Sequence, residues 1–222
     1  MNVKLLSHSQ PTPEFAELGI HDAQELIAYC ARVSNPSNQL NTETSEKLIR
    51  YLVKHQHWSP LEMVSACLEI TTTRDIARQI LRHRSFSFQE FSQRYADPTK
   101  DLSFVLRAAR LQDTKNRQNS IETSNEDLAL WWDSAQQEII DLARKHYARA
   151  IELGIAKEQA RSILPEGNTV SRLYVSGTLR SWIHYCELRS ANGTQKEHMD
   201  IAKEVAIVIS KIFPMIGEFC ND

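Results

Sequence analysis

The segment QILRHRSFSFQEFSQRY, residues 79–95, concentrates polar and charged side chains: three arginines, one histidine, one glutamate, three serines and three glutamines. Arginine presents a planar fork of hydrogen-bond donors, and serine and glutamine add neutral hydrogen-bonding groups. Burying such a cluster without partners is costly, because each guanidinium must be paired or solvated. The segment is therefore either a solvated surface or the binding site of an anion.

The composition of the whole chain is that of an ordinary soluble globular protein. The chain has 222 residues, of which 41% are hydrophobic and 24% charged, so we expect one domain that spans residues 1–222. The net charge of −2 gives no broad basic field for nucleic acid, which makes any anion site local. No apolar run approaches the length of a membrane helix, which predicts a protein without a membrane partner.

The cysteines are scattered, and none belongs to a Cys-x-x-Cys pair: they are Cys30, Cys67, Cys186 and Cys220. This pattern indicates neither a zinc site nor a thioredoxin-like motif. It predicts a reduced, cytoplasmic setting.

Hydrophobic periodicity predicts a helix-rich chain with a few strands. Strands are expected around Val3 and Leu5 and over residues 63–73, 102–106 and 168–175, of which 63–73 is central. Helices are expected from Pro13 and over residues 21–34, 42–55, 74–84, 126–153, 157–163, 178–188 and 194–219. The polar residues 107–124 predict a long irregular loop. The fold class is therefore α+β, a single domain with a mixed or antiparallel sheet flanked by long helices.

A basic stripe runs along the predicted helix 74–84, where arginines recur every four residues at positions 74, 78 and 82. Taken alone, such a stripe is usually a solvated helix face. The phenylalanines that follow, Phe86, Phe88 and Phe91, alternate with polar residues and should anchor the segment on the core. Anchoring would fix the neighbouring serine and arginine side chains, which is how phosphate oxygens are commonly bound.

The segment contains the signature R-H-R-x-x-S-x-x-x-x-S-x-R, whose fixed positions are Arg82, His83, Arg84, Ser87, Ser92 and Arg94. Further matches lie on both sides, in residues 31–34 (ARVS), 57–62 (HWSPLE), 160–165 (ARSILP) and 180–189 (RSWIHYCELR). Through these motifs the chain resembles the flavin-dependent thymidylate synthases over about residues 25–215.

The resemblance implies an enzyme of dTMP biosynthesis that catalyses the reductive methylation of dUMP to dTMP. In that family methylenetetrahydrofolate supplies the carbon and becomes tetrahydrofolate, and NADPH supplies a hydride through FAD. The resemblance also implies a homotetramer with active sites at subunit interfaces. The apolar faces of the predicted helices 126–153 and 194–219 suit such an interface, and they suit packing within one subunit equally well.

The resemblance assigns residues to two kinds of site. The cofactor-binding positions for FAD would be Ser59, Arg82, His83, Arg84, Glu90, Thr178, Arg180 and His184. The dUMP-binding positions would be Gln79, Arg82, Glu90, Phe91, Ser92, Gln93, Arg94, Arg161 and Arg189. The chain departs from the family at Thr178, where many members have Asn, and at residues 166–168, which are one residue longer than in some relatives.

Arg189 is the catalytic residue that the resemblance implies. Its guanidinium would hold the uracil carbonyl edge, favour ionisation at N3 and raise the electron density at C5. Trp182, Tyr185 and Arg189 share one face of the predicted helix, so aromatic packing would brace the guanidinium. The alternative is that Arg189 only complements the dipole at a helix C-terminus. For Arg161 the alternative is a solvated position on a short helix.

Other functions stay open on these residues. A nucleic-acid-binding protein would use the arginine stripe and the phenylalanines, and the near-neutral charge argues against it. A nucleotide-binding regulator would keep the fold without catalysis, and the intact signature argues against it. A metal site would use His55, His57, Glu62 and His83. Because the resemblance explains His57 as a residue on the folate or nicotinamide side, we expect no metal.

Overall fold

The computed structural model describes residues 1–219, so Cys220 lies outside the described residues. The helices are α1 Pro13–Glu17, α2 Ala23–Ala31, α3 Ser45–Lys54, α4 Arg74–Ile80, α5 Pro98–Asp101, α6 Glu126–Glu152, α7 Lys157–Ala160, α8 Leu179–Ser190 and α9 Lys196–Ile209. The strands are β1 Asn2–His8, β2 Ser65–Thr73, β3 Ser87–Glu90, β4 Arg110–Gln112, β5 Ser120–Glu122 and β6 Val170–Thr178. Short 3-10 turns cover Pro36–Asn38, Ser59–Glu62, Arg161–Ile163 and Pro214–Glu218.

The main sheet has the strand order β1–β2–β6–β3, and each neighbouring pair is antiparallel. β2 and β6 form its centre and pair along nine residues, from Ser65 opposite Thr178 to Thr73 opposite Val170. Alternate side chains of β2 are buried, because successive residues of a strand point to opposite faces. The main core combines side chains of β1, β2 and β6 with the inner faces of α2, α3, α4, α8 and α9. The α+β prediction and the central position of strand 63–73 are confirmed.

The helix that carries the arginine stripe is shorter than predicted. The buried residues of α4 are Ile76, Ala77 and Ile80. The backbone then tightens, since the N–H of Arg82 donates to the carbonyl of Gln79 and the N–H of His83 to that of Ile80. The prediction of a helix over 74–84 was therefore wrong at its end: the signature residues Arg82 and His83 lie in a turn that follows α4.

The segment after this turn is the short strand β3, which the sequence analysis did not predict, and residues 91–94 then form a loop. β3 pairs with β6, with Ser87 opposite Ser176 and Glu90 opposite Leu173. The alternation of the phenylalanines fits this, since Phe86 is buried and Phe88 packs against the same core. A strand of four residues is too short to be distinguished from a loop by periodicity. Its partner strand β6 also lies more than eighty positions away in the sequence, so no local pattern reveals the pairing.

Two other predicted segments also differ. Residues 107–124 contain the two-stranded hairpin of β4 and β5 instead of an irregular loop. The predicted strand 102–106 is reduced to a single bridge between Phe104 and Thr169. The final helix ends at Ile209 and not at residue 219, and the 3-10 turn Pro214–Glu218 follows. Pro214 has no N–H to donate, which disfavours a continuous helix through this position.

Helix α6 confirms the long amphipathic helix, but only part of its predicted apolar face is packed. Ile140, Ala143 and Tyr147 are buried, whereas Trp131 and Ile139 are 62% and 55% exposed. Leu130 and Leu142 are also exposed, so α6 presents an exposed apolar surface. Nowhere in residues 1–219 is there a helix with both the length and the hydrophobicity to cross a bilayer.

Gly177, near the end of β6, leaves the space that the Phe86 ring occupies. A Cβ at this glycine would overlap Cδ1 of Phe86 and lie 2.7 Å from Cε1. The ring cannot move aside freely, because it packs on Trp182 with ring centroids 4.4 Å apart. Gly177 and Trp182 therefore determine where Phe86, and with it the preceding signature turn, sits on the core.

We expect Gly177→Ala to lower the free energy of unfolding by about 1–3 kcal/mol, because the added methyl overpacks a filled site. Gly167→Ala is the matched control, since a Cβ there meets nothing within 4 Å, and its effect should stay within about 0.5 kcal/mol. Thermal and denaturant unfolding of both variants measure the difference. Equal stability of the two variants would show that Phe86 is not held in this way.

Candidate active site

Arg189 and His83 contact each other although 106 positions separate them in the chain. Arg189 lies in the last turn of α8, and its Nε–H donates to Nε2 of His83 at 2.9 Å. Burial, together with the neighbouring cations Arg189 and Arg82, lowers the pKa of His83 to about 4. His83 is therefore neutral near pH 7 and accepts the hydrogen bond. An uncharged, half-buried partner thus fixes the guanidinium of Arg189.

Three more residues complete what we call the Arg189 group: Tyr185 of α8, His198 of α9 and Gln79 of α4. The rings of His83 and Tyr185 meet edge to face, with centroids 5.0 Å apart. The Tyr185 hydroxyl lies 3.1 Å from Nε2 of His198, and Nδ1 of His198 lies 3.1 Å from Oε1 of Gln79. Three helices thus converge on the turn that carries the signature.

A second group, the arginine cleft, lies beside α4 and encloses about 400 Å³. It is lined by Arg74, Arg78, Gln93, Arg161, Ser162, Leu164 and Glu166. Arg78 pairs with Glu166 at 2.5 Å, whereas Arg161 forms no ion pair within residues 1–219. The side-chain nitrogen of Gln93 is buried and, among the described residues, has no hydrogen-bond partner. A buried donor without a partner is destabilising unless a ligand or water satisfies it, so the cleft suits an anion.

Glu90 and Arg94 flank the arginine cleft. Oε1 of Glu90 lies 3.5 Å from Nη1 of Arg74 and accepts a hydrogen bond from the Ser171 hydroxyl at 2.8 Å. Nε of Arg94 lies 3.5 Å from Oε2 of Glu158 on the neighbouring helix α7. Both side chains of this ion pair are exposed, so Arg94 can leave Glu158 and bind another anion at a small cost in free energy.

The turn between Glu90 and Arg94 directs Gln93 inward. The Phe91 N–H donates to the carbonyl of Arg172 on β6 at 2.8 Å, which ties the segment to the sheet. The Ser92 hydroxyl accepts from the Arg94 N–H at 3.4 Å, and the Ser92 carbonyl accepts from the N–H of Tyr95. The chain is thereby bent so that Gln93 is 3% exposed while Arg94 remains at the surface.

The first turn of α8 and the turn Ser59–Glu62 bring several predicted flavin positions together. Arg180 forms an ion pair with Glu62. The ring of His184 packs edge-on against Trp58, with centroids 4.3 Å apart. Burial and the nearby Arg180 lower the pKa of His184. Ser59 is exposed in the same turn.

Thr178 caps helix α8. Its hydroxyl accepts a hydrogen bond from the Ser181 N–H at 3.4 Å, which satisfies one of the free donors of the first turn. An asparagine could cap in the same way, so the substitution at this position keeps the structural role.

The signature contains two arginines besides Arg94, and the guanidiniums of both are without a protein partner in the described part of the chain. Arg82 and Arg84 are exposed, and neither guanidinium forms a hydrogen bond or an ion pair within residues 1–219. Two unpaired cations beside a neutral imidazole have the chemistry that suits an anion. They do not belong to the helix on which the sequence placed them, but they flank His83 in the turn.

The structure therefore separates the predicted dUMP residues into two places. Gln79 and Arg189 belong to the Arg189 group, and Gln93 and Arg161 belong to the arginine cleft. In the described part of the chain, no side-chain hydrogen bond or ion pair joins the two groups directly. Helix α4 contributes to both.

Three residues of these groups were missed by the sequence-based assignment. Arg74 and Arg78 were noted only as part of the basic stripe and were assigned to no site, although their spacing of four lets both reach one cleft. His198 shows no pattern in the sequence that would single it out. Its position becomes informative only when α4, α8 and α9 are packed together.

The histidines considered for a metal site are not gathered in one place. The ring centroids of His55 and His57 lie 6.3 Å apart, and the His55 ring packs at a tilt against Tyr51 with centroids 4.2 Å apart. His83 is engaged by Arg189. Over residues 1–219, no cluster of three or more His, Cys, Asp or Glu side chains is placed to hold a metal ion.

A family model and individual relatives agree on one protein family. The family model described as "Thymidylate synthase complementing protein" matches residues 18–215. A probable flavin-dependent thymidylate synthase of Paramecium bursaria Chlorella virus 1 is 49% identical over 218 residues, which cover 98% of both chains. A flavin-dependent thymidylate synthase of Synechocystis sp. is 51% identical over 192 residues, 86% of each chain.

Solved structures show the same fold. The UMP/dUMP methylase PolB of Streptomyces cacaoi, bound with 5-Br dUMP, superposes with a TM-score of 0.81 at 24% identity and covers 98% of this chain and 93% of its own. The same enzyme bound with 5-Br UMP gives a TM-score of 0.79 at 25% identity, with 98% and 92% covered. The antiparallel sheet with long flanking helices is thus a known arrangement.

Proposed function

The chain belongs to the flavin-dependent thymidylate synthases, and on that basis we propose that it converts dUMP to dTMP by reductive methylation. Methylenetetrahydrofolate would donate the carbon, and NADPH would be the reductant through bound FAD. The observation that carries the proposal is the hydrogen bond between Arg189 and His83, which joins α8 to the signature turn. The solved Streptomyces cacaoi relatives that carry bromo-dUMP and bromo-UMP support the choice of a pyrimidine nucleotide.

Arg189 would activate the pyrimidine ring. Its Nε–H is committed to His83, which leaves the four N–H donors of its two Nη atoms for the uracil carbonyl edge. A guanidinium held in place by a neutral partner keeps its full charge for the substrate. That charge stabilises the negative charge spread over the ring and favours reaction at C5.

The arginine cleft would bind the phosphate of dUMP. Arg161 offers an unpaired cation and Gln93 an unpaired donor, and the exposed pair between Arg78 and Glu166 can open to add a second cation. Ser92 and Arg94 would extend this site at the surface. Glu90, fixed by Arg74, would accept from a sugar hydroxyl.

The residues of the signature turn fit FAD. The exposed guanidiniums of Arg82 and Arg84 would hold its pyrophosphate, and His83 would lie at the isoalloxazine edge. Ser59, Thr178, Arg180 and His184 would add contacts from the neighbouring turn and the start of α8. When bound, FAD supplies the transfer of reducing equivalents from NADPH to the carbon taken from methylenetetrahydrofolate.

Two separate groups in one chain favour active sites built from more than one subunit. We propose a homotetramer in which the arginine cleft of one protomer faces the Arg189 group of another. The exposed apolar surface of α6, which includes Trp131 and Ile139, is available for such an interface. We also propose that residues 1–222 form one catalytic domain, because the solved relatives cover 98% of the chain. The cytoplasmic setting stays a prediction from the cysteine pattern.

The experiment that tests the function measures dUMP-dependent oxidation of NADPH with and without methylenetetrahydrofolate, with dTMP followed by chromatography. We expect the purified protein to bind FAD and to form dTMP only when dUMP, NADPH and methylenetetrahydrofolate are all present. A protein that takes up no flavin on titration, or that oxidises NADPH without forming dTMP, would overturn the proposal.

A further inference from the structure

We propose that His198 is a positioning residue that holds the side-chain amide of Gln79 in the one orientation that binds the nucleotide. The inference rests on the proposed function, since it takes Gln79 as a dUMP contact. It is carried by an unbroken series of hydrogen bonds through the protein, from Tyr185 to Glu197, which we call the amide relay. Its members are Tyr185, His198, Gln79, Gln195 and Glu197.

The distances along the amide relay are those of ordinary hydrogen bonds. Tyr185 and His198 approach to 3.1 Å, and His198 and Gln79 to 3.1 Å. Nε2 of Gln79 lies 2.8 Å from Oε1 of Gln195, and Nε2 of Gln195 lies 3.0 Å from Oε2 of Glu197. The relay therefore links α8, α4 and α9 through side chains alone.

The charge of Glu197 determines which group donates in each hydrogen bond of the amide relay. Burial would raise the pKa of this carboxyl, but hydrogen bonds from its own backbone N–H, from Arg110 and from Gln195 outweigh burial and lower it. Arg110 holds one oxygen at 2.6 Å, and Arg107 lies 3.8 Å from the other. A carboxylate only accepts, so Gln195 must donate to it through Nε2.

The remaining orientations follow one from another. Gln195 then presents Oε1 to Gln79, so Gln79 must donate through Nε2 and accept through Oε1. His198 must donate from Nδ1, which makes Nε2 the acceptor for the Tyr185 hydroxyl. Burial, with help from Arg189 and His83, lowers the pKa of His198 to about 3, so the neutral form required here is the stable one.

The relay leaves Gln79 with one free N–H and one free lone pair. Without His198, only the hydrogen bond to Gln195 would hold the amide, so rotation by 180° would break one hydrogen bond and not two. With His198 in place, rotation would set Nε2–H against Nδ1–H and break two bonds. His198 is fully buried, so it cannot itself touch the nucleotide and acts through Gln79. The ligand group recognised by the free N–H would be an acceptor oxygen of the nucleotide.

Two substitutions at His198 test the roles of its two ring nitrogens separately. The amide nitrogen of Asn stands near the place of Nδ1, and that of Gln near the place of Nε2. His198→Asn should keep the donor to Gln79 and hold the dissociation constant for dUMP within about threefold of wild type. His198→Gln should lose that donor and raise the constant about 5- to 30-fold. Calorimetric titration of the FAD-loaded protein with dUMP measures both, and the FAD content of both variants should equal that of wild type.

Gln195→Met tests the relay from its other end, and it provides an independent test if His198→Gln fails to fold. It removes the acceptor for Nε2 of Gln79, so dUMP binding should weaken about 5- to 30-fold. Gln137→Met, at an exposed position of α6, is the matched control and should bind dUMP like wild type.

The outcomes distinguish this inference from the proposed function. Wild-type protein that neither binds dUMP nor forms dTMP would overturn both. Wild-type protein that does both, with equal dUMP affinity in His198→Asn and His198→Gln, would overturn only the positioning role. Weaker binding in His198→Gln together with rescue in His198→Asn would support it.

Discussion

Replacement of Arg189 by lysine should lower the rate of dTMP formation about 10²- to 10³-fold, although the positive charge is kept. Lysine has no Nε–H in the place that donates to His83, and it has no planar fork to meet the uracil carbonyl edge. Loss of one preorganised donor to a developing negative charge has an effect of this size. Steady-state turnover at saturating dUMP, NADPH and methylenetetrahydrofolate measures it.

The flavin content of Arg189→Lys should remain that of wild type, because the predicted pyrophosphate cations Arg82 and Arg84 are unchanged. Arg149→Lys is the control for the chemical change itself, since Arg149 is an exposed residue of α6 that pairs with Glu152. It should leave turnover unaltered. Wild-type turnover in Arg189→Lys would remove Arg189 from the catalytic role.

Loss of Arg161 should weaken dUMP binding about 10- to 100-fold, because a charge-assisted hydrogen bond to phosphate disappears from the arginine cleft. The affinity for deoxyuridine, which lacks the phosphate, should be the same in Arg161→Ala and wild type. Calorimetric titration of both proteins with both ligands gives the comparison. Equal losses for the two ligands would mean that the substitution disturbs the fold and not a phosphate contact.

Glu166→Gln, in the same cleft, should not weaken dUMP binding as the loss of Arg161 does. This substitution removes the negative charge that pairs with Arg78 and should leave dUMP affinity equal to wild type or higher. Weaker dUMP binding in Glu166→Gln would contradict the view that phosphate competes with Glu166 for Arg78. The result is independent of Arg161, since the two substitutions change different lining residues.

The sequence predicts well what depends on local pattern. The long helix α6 and the central strand β2 follow from periodicity. The predicted helix 126–153 stops just before Gly154, which has a φ of +81° that glycine adopts readily. The signature segment was recognised because its residues lie within thirteen positions. These features require no knowledge of distant partners.

What could not be predicted depends on contacts between distant segments. Whether Arg78 faces solvent or a cleft depends on residues 161–166, and periodicity on α4 carries no information about them. The strand β3 exists because β6 is available to pair with it. His198 gains its role only from Tyr185 and Gln79, which lie on two other helices.

The shared use of α4 limits how related sequences can differ in length. Its seven residues direct Arg74 and Arg78 to the arginine cleft and Gln79 to the amide relay. Each residue of an α-helix turns the chain by about 100°, so a one-residue deletion or insertion here would rotate one set of side chains away from its site. Length changes should therefore be absent between Arg74 and Gln79, and they should be tolerated in the turn between β4 and β5, residues 113–119, which carries no residue of the cleft or the relay.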